Sequence, residues 1–242
     1  MNLNLLMMKV QLNKMDKKHK VLIVGSSGMV GGLILQECLK SDFVSEAIVI
    51  VRQKLKINHP KLKQIICQNF MDYSGIEDQL IGIDICYYCL GVYTGAVPKD
   101  KFTEITVDYP YALAKTLRKV NRLMNFCLLS GQGADRTEKS FLLFASNKGV
   151  IENKLLALGF AHVYCCRPGY IYPDVERQEP NWSYSFIRKL YKPISSIYPN
   201  FGIRSIQLAK AMFRIGMSNI EKDLFSNAEL TLTPSVLAYC GP

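Results

Sequence analysis

No stretch of this 242-residue chain carries the roughly 18 to 20 consecutive apolar residues needed to cross a bilayer. Its strongest apolar runs, Ala47 to Val51 and Ile83 to Leu90, have strand length, so a transmembrane segment is not expected. Internal repeats and low-complexity segments are also lacking. No recognition motif with interleaved aromatics accompanies the basic charge, which leaves nucleic-acid binding without a signal. The single C-x-x-C, at Cys86 and Cys89, has no second Cys or His pair at ligand spacing, so no metal site is expected. It lies in the apolar run Ile83 to Leu90, where a separation of three along a strand sends the two side chains to opposite faces. The same reading applies to Cys165 and Cys166, and all eight cysteines fit thiols in a reducing compartment. The N-terminus lacks the charge-then-apolar order of a secretory signal, because Leu5, Leu6, Met7 and Met8 precede Lys14, Lys17, Lys18 and Lys20. A cytoplasmic protein is expected.

What is present is an ordinary globular composition, 49% hydrophobic and 21% charged, long enough for one sizeable core. Five of the 30 basic residues (Lys9, Lys14, Lys17, Lys18 and Lys20) fall in the first twenty positions. Residues 1–19 are therefore expected to form a disordered basic extension, and 20–242 a single domain. The remaining excess in the net charge of +10 suits an anionic ligand such as a phosphorylated cofactor.

Short β-type runs stand at Lys20 to Val24, Ala47 to Val51, Gln64 to Cys67, Ile83 to Cys89, Met124 to Ser130 and His162 to Arg167. Helical stretches separate several of them: Met29 to Leu39, Asp108 to Val120 and Phe141 to Leu158. This alternation predicts an α/β fold, a doubly wound parallel sheet in the order 3-2-1-4-5-6. After Arg167 the prolines Pro168, Pro173, Pro180, Pro193 and Pro199 break the pattern. The stretch 168–204 is expected to be a small C-terminal region of substrate-side loops covering the crevice. A further helix capped by Ser205 and a last strand near Glu229 to Leu232 are expected beyond it.

The strand Val21 to Val24 runs into Gly25-Ser-Ser-Gly28-Met-Val-Gly31, and a helix follows. This strand-turn-helix setting makes the three glycines a Rossmann-type nucleotide loop: Gly25 for the turn, Gly28 for approach to a pyrophosphate, Gly31 for helix-strand contact. Backbone N–H groups at the helix start then face the phosphates. The second strand ends in Val51-Arg52, with Lys54 and Lys56 nearby. An acidic residue there would hold a free ribose 2′-hydroxyl, whereas Arg52 accommodates a 2′-phosphate, so NADP is expected rather than NAD.

Five segments in order resemble the atypical short-chain dehydrogenase/reductase superfamily, in particular its Tat-interacting-protein-like oxidoreductase branch. They are the glycine loop, Cys89-Leu-Gly-Val-Tyr-Thr94, Val107-Asp-Tyr109, Leu128-Leu-Ser-Gly-Gln-Gly-Ala-Asp135 and Cys166-Arg-Pro-Gly169. The resemblance implies that Gly25, Ser27, Gly28, Met29 and Val30 line the diphosphate and Arg52 the adenosine phosphate. It places Asn69 and Phe70 at the adenine edge, with Asn69 standing where relatives usually have Asp. Cys89, Leu90 and Gly91 would flank the adenine and ribose, Lys148 would bind the nicotinamide ribose, and Arg167, Pro168 and Gly169 would border the nicotinamide.

Such reductases use a Ser, a Tyr and a Lys, the last two separated by four positions on one helix face, so that the ammonium lowers the phenol's pKa while the phenol protonates the carbonyl oxygen. Here the pair reads Phe144 and Lys148. Ser130, at the end of the fifth strand, is expected to hydrogen-bond a carbonyl oxygen, or else to cap the strand-to-helix turn. Lys148 with Glu152 four residues on is alternatively a surface ion pair. Tyr93, Tyr170 and Tyr172 lie on loops near the nicotinamide end as replacement donors or packing aromatics. Two functions stand open: an NADP-dependent oxidoreductase acting on a small carbonyl or alcohol, and a non-catalytic NAD(P)-binding redox sensor that regulates a partner protein.

Overall fold

The computed structural model describes residues 18–174 and 201–236. Most of the expected 1–19 extension, and residues 175–200 of the substrate-side stretch, lie outside the described residues. Seven strands form one parallel sheet in the order β3-β2-β1-β4-β5-β6-β9. They are β1 (His19–Val24), β2 (Val44–Val51), β3 (Leu62–Ile66), β4 (Ile85–Tyr88), β5 (Asn125–Leu129), β6 (His162–Arg167) and β9 (Leu224–Ser226), while β7 (Tyr170–Tyr172) and β8 (Gly202–Arg204) pair separately. The expected 3-2-1-4-5-6 order is thus present, with one strand added at the edge.

Period-two alternation builds a core on each face. Val21, Ile23 and Val49 point to the side packed by α1 (Met29–Lys40) and α5 (Ser205–Met217). Leu22, Val24 and Ile48 point to the side packed by α3 (Tyr109–Val120) and α4 (Leu143–Ala157). Each such aliphatic side chain contributes about 1.5 to 3 kcal/mol by leaving water. Cys86 and Cys165 fall in the second cluster and Cys166 in the first, with Cys89 packed against that first cluster.

Three local expectations are corrected. Glu229 to Leu232 is helical, part of α6 (Asn227–Val236). The cause is a capping box, in which Glu229 accepts the Ser226 N–H at 2.9 Å while Ser226 Oγ accepts the Glu229 N–H at 3.4 Å. Ser205 is the first helical residue of α5 rather than its cap, and the Ile206 N–H is accepted by Asp174 at 2.8 Å. The helix expected to start at Asp108 begins earlier, since α2 (Lys99–Thr103) passes through a π-turn, Glu104–Asp108, into α3. That turn lies against α4, whose Asn147 donates to Thr103 Oγ1 at 2.9 Å.

Candidate active site

The crevice opens where β1 and β4 lie side by side and their following connections diverge, the usual ligand position in such sheets. Gly25 takes φ +86°, and a Cβ on it would stand 2.6 Å from the Leu90 nitrogen. A Cβ on Gly31 would stand 2.3 Å from the Gly25 carbonyl oxygen. Only bare backbone permits either approach. Gly28 caps α1 with no side-chain hydrogen bond, and the first turn holds no acidic residue. A helix N-terminus without a side-chain cap is suited to receive an anion. Ser27 and Gly28 are exposed, Met29 is half-buried, and Val30 is in the core, so Val30 has only its backbone to offer. Ser26 Oγ, buried in the same loop, has no partner among the described residues.

At the end of β2, Arg52 is exposed; its carbonyl accepts from Gln68 at 2.7 Å, and among the described residues its guanidinium has no hydrogen-bond partner. Asn69 is exposed with Oδ1 accepting the Met71 N–H at 3.0 Å, and Phe70 is buried and stacked on Tyr109 at 5.7 Å between ring centroids. Phe70 is therefore a packed core ring rather than an open one. Cys89 and Leu90 are half-buried and Gly91 is exposed along the β4 exit, where the Cys89 N–H bonds the Val24 carbonyl at 2.8 Å. Burial pushes the Cys89 thiol well above its ordinary range.

Lys148 donates to the Leu129 carbonyl at 3.0 Å. Its dense surroundings lower the ammonium to about 8, against the opposing pull of Glu152, Cys89 and Cys165. Phe144, one turn earlier on α4, has its ring tip against Gly131, where a Cβ would fall 2.5 Å from Cζ. The residue facing the ring is thus Gly131 and not Ser130.

Ser130 is turned elsewhere. Its hydroxyl donates to Glu152 Oε1 at 2.5 Å, and Glu152 is fully buried. The same carboxylate receives Arg167 through Nε at 2.9 Å and Nη2 at 2.6 Å, and Arg136 Nε at 2.7 Å. Arg136 continues to Asp223 at 2.6 Å. Burial alone would raise the Glu152 pKa, but the bonds from Arg167, Ser130 and Arg136 outweigh it and hold the group below its usual range. Two expectations change here. A hydroxyl whose one proton goes to a carboxylate has none left for a substrate carbonyl, and Glu152 is no surface partner of Lys148 but the centre of an interior ion cluster. The clue was present in the chain: Ala145, Glu152 and Leu155 share the inward face of α4.

Glu152 also fixes the turn Arg167-Pro168-Gly169. The Pro168 carbonyl accepts the Gln132 N–H at 2.8 Å, and the Gly169 N–H bonds Asn227 Oδ1 at 2.8 Å. Tyr170 and Tyr172 follow on β7, half-buried, with Tyr170 stacked on Phe201, and Tyr93 is half-buried on the β4 exit loop. The site brings together the glycine loop, the β4 exit, Lys148 and the Arg167 turn. Arg136, Gly131 and Gln132 were not foreseen.

This combination, a parallel 3-2-1-4-5-6 sheet with an uncapped glycine loop at its switch point and a lysine on the fifth-strand helix, defines a NAD-binding Rossmann fold of the oxidoreductase type. No family model matches the chain. It is 30% identical over 170 residues to Protein HTATIP2 of Rattus norvegicus, spanning 69% of this chain and 68% of that protein. It is 25% identical over 217 residues to Protein fmp52, mitochondrial, of Emericella nidulans, spanning 86% and 92%. Among solved structures, the Bordetella bronchiseptica enzyme WbmH in complex with NAD+ superposes with a TM-score of 0.62 at 15% identity, covering 91% of this chain and 80% of that one. The chain belongs to the atypical short-chain dehydrogenase/reductase family, in the branch of HTATIP2. The expectation of a cytoplasmic protein is overturned by the FMP52 relatives, which are mitochondrial by name. Among the described residues, no helix is long and apolar enough to cross a membrane.

Proposed function

We propose that the protein is an NADP-dependent oxidoreductase that transfers a hydride to or from a small carbonyl or alcohol. The observation that carries the cofactor choice is exposed Arg52, followed by exposed Lys54 and Lys56, at the end of β2. The residues present fit a dinucleotide: Gly25 and Gly31 shape a cradle that a Cβ would fill, and α1 has no side-chain cap of its own. In this reading Gly25, Ser27, Gly28, Met29 and Val30 hold the diphosphate, and Asn69 with Phe70 forms the adenine edge. Cys89 to Gly91 flank the adenine ribose, Lys148 binds the nicotinamide ribose, and Arg167 to Gly169 wall the nicotinamide. The bound cofactor supplies or takes the hydride. Lys148, lowered to about 8, is charged at neutral pH yet close enough to neutrality to release a proton to an alkoxide oxygen. Loss of the tyrosine proton donor slows such a reaction by roughly 10² to 10⁴-fold.

The test is stopped-flow oxidation of NADPH with 4-nitrobenzaldehyde. Slow turnover in the wild type, at least about tenfold faster in Phe144→Tyr and abolished in Lys148→Met, is expected. Phe144 also favours a second reading, a non-catalytic NAD(P)-binding sensor acting on a partner protein. NADPH binding with turnover confined to Phe144→Tyr would establish it. From the FMP52 relatives we infer a mitochondrial location, which cell fractionation tests.

A further inference from the structure

The candidate site has lost its hydroxyl donors in two different ways. Phe144 carries none, and Ser130 gives its proton to Glu152. Phe144 also closes the next position, because its Cζ lies where any side chain on Gly131 would begin, 2.5 Å from a Cβ there. An oxygen developing negative charge beside Lys148 would therefore meet an apolar wall unless another donor stands on the same strand exit. One does. Gln132 directly follows Gly131, its side chain is exposed, and its amide makes no hydrogen bond among the described residues. Its backbone is pinned, with its N–H on the Pro168 carbonyl at 2.8 Å. Its side chain lies over the bare Cα of Gly169, where a Cβ would fall 2.8 Å from Oε1. The amide thus sits between the β5 exit, where Lys148 is anchored on Leu129, and the Arg167–Gly169 turn.

We propose that Gln132 is a catalytic residue whose side-chain N–H groups hydrogen-bond the substrate oxygen, in place of the absent hydroxyls. The inference rests on the hydride-transfer reading. Lys148 supplies the proton and Gln132 holds the oxygen while charge builds on it. A neutral amide carries two donors, does not titrate, and suits an aldehyde or ketone oxygen.

The experiment measures NADPH affinity by fluorescence, then steady-state reduction of 4-nitrobenzaldehyde from pH 5 to 8, for wild type, Gln132→Leu and Gln132→Glu. NADPH affinity within twofold of wild type in both variants is expected, with kcat/KM reduced by roughly 10²-fold in Gln132→Leu, the loss typical of one oxyanion donor. Gln132→Glu keeps the shape but has no donor when ionised. Its activity should recover as the pH falls toward 5 and the carboxyl becomes protonated, a response that a merely structural role would not produce. Unchanged kcat/KM in Gln132→Leu overturns the assignment while leaving hydride transfer standing. Failure of the wild type to bind NADPH, or to reduce the aldehyde, overturns hydride transfer and this inference with it.

Discussion

Glu152 is the residue whose removal should disturb the molecule most. It is fully buried, and its two oxygens receive Ser130, Arg136 and Arg167, whose guanidinium groups are themselves mostly buried, with side-chain exposures of 27% and 18%. Substitution by Gln keeps the volume but removes the charge, leaving Arg167 without its carboxylate and Arg136 with Asp223 alone. Breaking one side of a buried ion pair costs about 3 to 5 kcal/mol. For a chain of this size each kcal/mol shifts the melting temperature by about 2 to 4 °C, so Glu152→Gln should melt roughly 6 to 20 °C lower. The pH dependence has a definite sign. Because the folded pKa is lowered, the stabilisation is fully present above the unfolded value of about 4.3 and is lost as the pH falls through the folded value. The gap between wild type and variant, measured by urea denaturation, should therefore be constant from pH 6 to 7 and narrow below about pH 4. A deficit under about 1 kcal/mol at pH 7, or a gap that widens in acid, would refute the idea that this carboxylate organises the Ser130 and Arg167 turns.

Other consequences follow from single contacts. Gly31→Ala places a Cβ 2.3 Å from backbone oxygen that has no freedom to retreat. NADPH should then bind at least about tenfold more weakly, as read by fluorescence titration. For Lys148, the pH-rate profile of carbonyl reduction in the wild type should decline above about pH 8 as its ammonium loses the proton. The same lowered pKa makes folding stability rise, relative to Lys148→Met, between pH 8 and the free-lysine value of about 10.4, because the unfolded chain holds the proton longer.

The scaffold was legible because its signals are local. Period-two runs and one glycine loop are enough to order six strands, and the apolar run His162 to Arg167 coincides with β6. The last strand is not legible because a three-residue strand, Leu224–Ser226, has no periodicity, and the Ser226 to Glu229 capping box beside it turns the expected strand residues Glu229 to Leu232 into helix. The cofactor half of the proposed site rests on equally local signals, one turn and one strand end. The reacting half does not, because it depends on where side chains point after folding. Ser130 and Gly131 are neighbours in the chain, yet one faces a buried carboxylate and the other an aromatic ring. Glu152 stands four residues after Lys148, a spacing that reads as a surface pair, and only contact with Arg136 and Arg167 from distant segments reveals it as interior.

The central claim, an NADP site at the glycine loop, is tested most directly by titrating the purified protein and Arg52→Ala with NADPH and NADH. A charged hydrogen bond to the 2′-phosphate is worth about 1.5 kcal/mol or more. The wild type should therefore prefer NADPH by roughly tenfold or more, and Arg52→Ala should lose the preference. Binding of neither nucleotide, or equal affinity for the two in the wild type, would contradict it.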